Sequence, residues 1–418
     1  MKIANLFKGD KAIWAVFLFL CLISIVEVFS ASSTLTYKTQ NYLRPLIYHS
    51  GTILVGVVVA IITLNIPCRY FKLITPVMLF VTYATLLGVL IWGQSINGAN
   101  RVIQLPGFTF QPSELAKGTM VLATAQILSA MQRPDGSGAD PKAMKYVLVV
   151  TVPAVLLIAI ENLSTGVLLF GVIYIMMFIG RVPTIQMGKL TGVLVLLAGL
   201  FMALVFSMAS LDKEGQEIDA AQQEGVELVV QSKNEDKSAF EKITHRFWTW
   251  KNRLTKRSTT KGVSPEDYDI KGNYQVAHAN FAIASSNIIG KGPGNSVERD
   301  YLPQAFSDFI FAIIIEEMGL IGAITVVLLY VILLFRVARI ASRCENNFPA
   351  FLIMGLALLL VCQAVINMMV ATDFGIVTGQ PLPLVSKGGT STIVNCAYIG
   401  AILSVSRSAK KTLTKSAI

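Results

Sequence analysis

Charge is scarce in this chain. Asp, Glu, Lys and Arg make up 14% of its 418 residues, against about 25% in soluble domains. Hydrophobic residues reach 54% and the mean hydropathy is +0.62. A soluble core could not hide that much apolar surface, so the composition excludes a water-soluble globule and makes lipid the solvent. Histidine is nearly absent, with three residues, and the five cysteines (Cys21, Cys68, Cys344, Cys362 and Cys396) are not spaced as metal ligands. No cysteine falls in the one long polar stretch, which argues against a disulfide framework as well as a zinc site. The net charge of +10 comes in small clusters between apolar runs. It suits loops facing anionic lipid headgroups and not nucleic acid.

What is present is a succession of apolar runs. Spans are predicted near 13–31, 51–66, 74–93, 114–131, 146–160, 164–180, 188–209, 308–335, 349–373 and 391–406. The expected fold is therefore an all-α integral membrane protein of about ten transmembrane helices. Residues 1–418 form one polytopic domain, with one long loop, 210–307, between helices 7 and 8. Helices are required because hydrocarbon offers backbone groups no partners. The basic, apolar N-terminus reads as a first span and not as a removed signal. Only Glu161-Asn162-Leu163 separates the fifth and sixth runs, so that pair is either a tight hairpin or a broken helix.

Loop charge sets the orientation. Seventeen Lys and Arg occupy the short loops and termini of one side, among them Lys8, Arg69, Arg133, Lys145, Arg181, Arg336, Arg343 and Lys411. Four, Lys38, Arg44, Arg101 and Lys387, occupy the other. The richer side is the cytoplasm, both termini are inside, and the long loop is outside. Within that loop 212–236 is acidic and polar. Phe247, Trp248 and Trp250 alternate with Lys242, Arg246, Lys251 and Arg253, the pattern of a segment lying on the outer leaflet or of an aromatic belt.

Ionisable groups in or beside spans mark candidate sites, and four places qualify. Arg101 precedes Gln111-Pro112-Ser113-Glu114-Leu115-Ala116-Lys117. Pro112 suits a first helical turn, and Glu114 and Lys117 share a face at a spacing of three, as a structural ion pair or as the wall of a headgroup cavity. Ser307-Asp308-Phe309 ends the long loop, and Glu316-Glu317-Met318-Gly319 follows. Asp308 is an N-cap or a carboxylate at the water–lipid boundary within reach of a sugar and a lipid phosphate. Glu316, about 12 Å deeper, must be paired or face a polar cavity. Gly290-Lys291-Gly292-Pro293-Gly294 is an anion loop or a flexible turn. Pro381-Leu382-Pro383-Leu384-Val385-Ser386-Lys387-Gly388-Gly389 is a rigid non-helical segment, tolerated at membrane depth where it lines a cavity or packs on protein. There Ser386 and Lys387 could hold phosphate. All four places fall on the predicted outer side, which favours one shared site.

These strings resemble the signatures of the SEDS family (shape, elongation, division, sporulation). The resemblance rests on Asn97-Gly98-Ala99-Asn100-Arg101 with Phe110-Gln111-Pro112-Ser113-Glu114, on Tyr274-Gln275, the Gly290–Gly294 string, Leu302-Pro303 and Ser307-Asp308-Phe309-Ile310-Phe311, and on Ile366-Asn367 with Leu382–Ser391. It runs from the first span to the last. It implies a peptidoglycan glycosyltransferase that polymerises lipid II, the undecaprenyl-diphosphate-linked disaccharide peptide, with a class B penicillin-binding protein as cross-linking partner. It makes Asp308 the catalytic residue and Glu114 and Lys117 functional. The opening Gly9-Asp10-Lys11 and the Gly290–Gly294 string are more similar to the division (FtsW-like) members than to the elongation (RodA-like) members, which implies a septal location and other divisome proteins as partners. Two departures stand out. Glu161-Asn162-Leu163-Ser164-Thr165-Gly166 lacks the family's aspartate, and Lys387 replaces the usual tyrosine.

The expected chemistry is general-base attack by Asp308 on the 4-hydroxyl of an acceptor sugar. Arg101, Lys117, Lys291 and Lys387 are the candidate cations for the departing lipid diphosphate. Gln111, Ser113, Glu114, Glu316 and Ser386 complete the candidate substrate-binding set. A divalent cation, magnesium or manganese, on Asp308 is an open alternative, with no other cofactor expected. The rival class is a lipid II flippase, which needs charges distributed through the membrane depth; Glu27 and Glu316 are its support.

Overall fold

The computed structural model describes residues 8–32, 43–96, 99–105, 108–211, 274–302, 305–375 and 377–415. Ten long helices coincide with the ten predicted spans: α1 (Lys11–Ser30), α2 (Leu43–Asn65), α3 (Cys68–Trp92), α4 (Pro112–Ala130), α5 (Lys142–Glu161), α6 (Leu163–Ile179), α7 (Thr184–Leu211), α9 (Ile310–Ala341), α10 (Asn347–Ala371) and α11 (Gly389–Lys415), with the short α8 (Tyr274–Ala284) before α9. Eight are long and apolar enough to cross a membrane, and α6 is apolar but of only 17 residues. The remaining one, α4, carries Glu114 and Lys117.

The described residues fall into two compact units, Thr184–Tyr274 and the combination of Met1–Pro183 with Gln275–Ile418. The first contains α7. The second contains every other long helix and all the candidate residues that follow. The aromatic-basic stretch at 240–254 and the acidic one at 212–236 lie outside the described residues.

Three features depart from a plain reading of ten spans. A three-stranded antiparallel sheet joins α3 to α4: β1 (Gln94–Ile96), β2 (Ala99–Leu105) and β3 (Phe108–Phe110) in the order β1-β2-β3. Ile96 pairs with Ala99 and Leu105 with Phe108. The intervening sequence Asn97-Gly98 is a strong hairpin signal. Next, α5 and α6 form a tight hairpin, because Asn162 takes extended angles and its side chain caps α6 by accepting from the Thr165 amide.

The third departure is inside α9. Gly319 has φ +66 and ψ −165, which breaks the helix. The carbonyls freed on one side accept from Lys291 N and Gly292 N (2.9 and 2.8 Å). The amides on the other side, Leu320 and Ile321, donate to Asn287 O and Ile288 O (3.3 and 3.2 Å). Non-helical backbone survives here because another segment supplies its partners. Glycine is required at the crossing: a Cβ on Gly290 would stand 2.3 Å from Glu317 O.

The packing of α2 on α11 uses small residues, as membrane helices do. A Cβ on Gly56 would meet Cys396 Sγ at 2.6 Å, and one on Gly400 would meet Ala60 O at 2.5 Å. At the bundle end where α1 begins, Asp10 caps α1 (Ala12 N to Oδ1, 2.9 Å), pairs with Arg336 of α9 (2.5 Å) and donates its amide N–H to Ser406 Oγ of α11 (3.0 Å). Burial pushes the Asp10 carboxyl up, but Arg336 and the two helix amides outweigh it and hold the group below its usual range.

Candidate active site at one end of the bundle

The non-helical segment 377–388, between α10 and α11, is the floor of the site. Its carbonyls are held one by one. Gln363 of α10 donates to Pro381 O (3.1 Å), Asn367 of α10 to Gln380 O (2.7 Å), Tyr330 of α9 to Pro383 O and Ser24 of α1 to Val385 O (2.6 Å). Gln380 reaches Thr165 Oγ1 of α6 (2.7 Å). Each bond satisfies a polar group that lipid could not, so four helices converge to make an irregular chain rigid.

Asp308 stands beside this floor. It lies two residues before α9 and is half-buried. Ser307 Oγ donates to its Oδ1 (3.0 Å) and Asn367 Nδ2 to its carbonyl (2.8 Å). Gly379, at φ +63, faces the carboxylate so closely that a Cβ there would lie 3.4 Å from Oδ2. The N-cap alternative for Asp308 is not met: Phe309 precedes the first helical residue and no side chain caps the helix.

Ser386 and Lys387 join the floor to the Asp308 turn. Ser386 Oγ donates to Ser307 O (2.6 Å) and accepts from Leu382 N (2.7 Å), so its hydroxyl is a latch within the protein. Lys387 N–H donates to Phe306 O (2.9 Å). The Lys387 ammonium lies over the Phe306 ring, 4.9 Å from the centroid, a cation–π contact. Half-burial pushes that ammonium below the usual lysine range. Among the described residues no carboxylate lies within ion-pair distance of it.

The Gln111–Lys117 string opens α4 behind this floor. Pro112 occupies the first turn, and Gln111 Nε2 donates to Ser113 Oγ (3.1 Å). Lys117 is fully buried. It bonds Glu114 Oε1 (2.9 Å) and Gln363 Oε1 (2.8 Å). Since Gln363 in turn holds Pro381 O, the Glu114–Lys117 pair is the far end of a chain of polar contacts that ends on the floor. Tyr398 of α11 donates to Glu114 O (2.7 Å), and Thr390 at the start of α11 donates to Thr109 O (3.1 Å). Arg101 lies on β2, with its side chain outside the described residues.

Three of the four sequence motifs thus meet at one end of the bundle. The fourth does not join them. Lys291 pairs with Glu316 (2.6 Å), about two turns deeper along α9 than Asp308. Glu316 also takes Ser296 Oγ and Val297 N (3.0 Å). Glu317 takes Gly294 N (3.0 Å), Ser296 N (3.2 Å) and Ser30 Oγ, with Arg299 at 3.8 Å. Lys291 and Glu316 therefore form the anchor of the loop on the broken helix and not part of the Asp308 surface. Glu27, one turn before Ser30, is fully buried, and neither of its carboxylate oxygens has a hydrogen-bond partner among the described residues.

Gln363, Asn367 and Gly379 belong to the site but are absent from the candidates that the sequence suggests. Gln363 and Asn367 are polar residues four apart, hence on one face of the otherwise apolar α10, and that spacing is the signal that identifies them.

Comparison with known proteins agrees with this arrangement. The family model described as "Cell cycle protein", for FtsW, RodA and SpoVE, matches residues 10–224 and 243–411. The chain belongs to this FtsW/RodA/SpoVE family. A relative from Halomonas elongata, "Probable peptidoglycan glycosyltransferase FtsW", is 30% identical over 92% of this chain and 87% of its own. "Peptidoglycan glycosyltransferase MrdB" of Escherichia coli K12 is 26% identical over 88% and 86%. The fold is shared with a chain of a solved structure described as "Structural coordination of polymerization and crosslinking by a peptidoglycan synthase complex", with a TM-score of 0.65 at 23% identity, covering 96% of this chain and 99% of that one. This family member is a multi-pass membrane protein whose Asp308, Glu114–Lys117 and 377–388 segments form a single polar end.

Proposed function

We propose that the protein is a peptidoglycan glycosyltransferase that joins lipid-linked disaccharides into glycan strands at the outer face of the cytoplasmic membrane, serving septal wall synthesis. The observation that carries the reading is the presence of both charges at one stretch of backbone: a half-buried Asp308 carboxylate on a fixed turn and, against the nearby Phe306 ring, a lysine with no carboxylate in ion-pair distance among the described residues. Family membership supports the activity. The excess of Lys and Arg in the opposite loops supports placing this end outside and both termini in the cytoplasm.

The chemistry follows from the charges. Asp308 takes the proton of the acceptor sugar's 4-hydroxyl as that oxygen attacks the anomeric carbon of the donor. The bond from that carbon to the lipid diphosphate breaks, and the electron pair leaves with the diphosphate. Lys387 is the described cation best placed to stabilise that charge, with Arg101 a further candidate. Lys117 and Lys291 are tied to Glu114 and Glu316 and act by holding the scaffold. Ser307 keeps the Asp308 carboxylate oriented.

Among the described residues no group of three or more His, Cys, Asp or Glu is placed to hold a metal ion. Asp308 is the residue that would hold a magnesium or manganese ion. Such an ion would neutralise leaving-group charge, and the steps above do not depend on it. The structural relative belongs to a complex that coordinates polymerisation with cross-linking. That likeness supports a class B penicillin-binding protein as partner; the wider set of divisome proteins follows from the septal reading and not from that structure.

The test is polymerisation of purified lipid II by the protein with its penicillin-binding partner, the transpeptidase blocked, and the products resolved on a gel. A ladder of glycan chains that disappears in Asp308→Ala is the expected result, a loss of at least about 100-fold. Lipid II crossing vesicle membranes with no ladder from a folded complex would replace the polymerase reading with a flippase.

A further inference from the structure

Asn367 is fully buried on α10, one turn before the helix ends. Its Nδ2 donates to two carbonyl oxygens at once, Asp308 O at 2.8 Å and Gln380 O at 2.7 Å. Helix formation does not account for the first of these acceptors. Ala312 and Ile313, in the first turn of α9, both donate to Phe309 O (2.9 and 3.4 Å), while the Asp308 carbonyl accepts from the side chain of another helix. The second acceptor adjoins Gly379, the residue whose missing Cβ would sit 3.4 Å from Asp308 Oδ2. A single amide group therefore fixes both the turn that presents the carboxylate and the backbone that faces it.

The orientation of that amide is forced. Both neighbours are acceptors, so a flipped side chain would set Oδ1 against two carbonyl oxygens and leave both unsatisfied. Burial makes that costly. The price is visible in the structure: Oδ1 has no hydrogen-bond partner among the described residues. A buried, half-satisfied amide is a poor stabilising element and a good ruler.

We infer that Asn367 is a positioning residue that sets the gap between the Asp308 carboxylate and the Gly379 backbone, and so the room available for the acceptor hydroxyl. The inference rests on Asp308 being the base. Its chemical content is a distance: displacement of a reacting group by about 1 Å can cost on the order of 100-fold in rate, while substrate held by other contacts still binds.

The experiment measures kcat and KM of the complex with its penicillin-binding partner on lipid II for Asp308→Ala, Asn367→Ala, Gly379→Ala and the double variant Asn367→Ala/Gly379→Ala. Thermal unfolding and partner co-purification report the fold. Asn367→Ala is expected to lose about 10- to 100-fold in kcat with KM within about twofold of the parent. The Gly379→Ala defect should shrink in the Asn367→Ala background, because a wall no longer pinned can retreat from the added methyl group; a merely structural asparagine would instead lower the unfolding midpoint and leave kcat unmoved. Should Asn367→Ala fail to fold, Asn367→Ser, which keeps one donor, takes its place, with an intermediate kcat expected. Parental kcat in a folded Asn367 variant, or additivity in the cycle, overturns the positioning role while Asp308→Ala stays inactive. Parental activity in Asp308→Ala would instead remove the base assignment on which the inference stands.

Discussion

The two polar clusters at Asp308, just before α9, and at Glu316–Glu317, within it, lie about 12 Å apart at the helical rise and are built on opposite terms. Around Glu316 and Glu317 every carboxylate oxygen has a donor, drawn from Lys291, Ser296, Val297, Gly294 and Ser30. Around Asp308 the Asn367 amide goes to backbone carbonyls and, among the described residues, its oxygen has no hydrogen-bond partner and Lys387 rests on an aromatic ring with no carboxylate in ion-pair distance. Both clusters are acidic, and both follow from motifs in the same stretch of sequence. The difference teaches that saturation separates an anchor from a reactive surface. A carboxylate surrounded by fixed donors is satisfied in the resting protein, whereas a cation without an acid is ready for an anion that arrives with substrate.

That contrast can be broken at either cluster. Glu317→Ala should have the largest effect on stability, about 3–5 kcal/mol, because it strands two amides, the Ser30 hydroxyl and the Arg299 guanidinium in a buried place. Thermal unfolding of the purified complex measures it, and an unchanged midpoint would mean that the loop is not anchored through this residue. Lys387→Met should leave the unfolding midpoint nearly unmoved and reduce polymerisation about tenfold, equivalent to about 1.4 kcal/mol, with Lys387→Arg retaining most activity. A stability loss without a rate loss would place Lys387 with the anchors. The smallest effect belongs to the opposite end of the bundle. Asp10→Asn keeps a cap of equal rank and should cost about 1 kcal/mol through the lost Arg336 ion pair and the lost anion at the helix N-terminus. Because the folded carboxyl of Asp10 lies below its ordinary value, its contribution is complete above the unfolded value of about 3.9 and fades as pH falls through the folded one. Unfolding curves of the parent and Asp10→Asn should therefore differ at pH 6, begin to converge only below about pH 4 and meet once pH has fallen past the folded value.

Much of this is legible in the sequence. The ten predicted apolar runs become ten helices, eight of them long and apolar enough to cross a membrane, because hydrocarbon leaves backbone no alternative, and the Glu114–Lys117 spacing becomes an ion pair because residues three apart share a helix face. Asp308, set where a polar loop gives way to an apolar run, lies two residues before α9 and beside Gly379 and Asn367. Other assignments need coordinates. Lys291 reads as a cation for substrate, yet its partner is Glu316, and nothing local in Gly290-Lys291-Gly292 says that it will splice a helix broken 27 residues later at Gly319, counted from Gly292. Ser386 reads as a phosphate ligand and is a latch on Ser307. The β1-β2-β3 sheet is hidden because three-residue strands carry too little periodicity to outweigh the neighbouring spans.

The sequence by itself determined the solvent, the number and placement of the helices, the family and the place of the Asp308 carboxylate just before an apolar helix. These depend on composition, run length and short-range spacing, which survive without knowing what packs on what. The tertiary structure decided which charges are satisfied. That property belongs to pairs distant in the chain, Asn367 with Asp308, Gln363 with Lys117, Lys291 with Glu316, and it arises only when helices pack and each buried polar group must find a partner or go without.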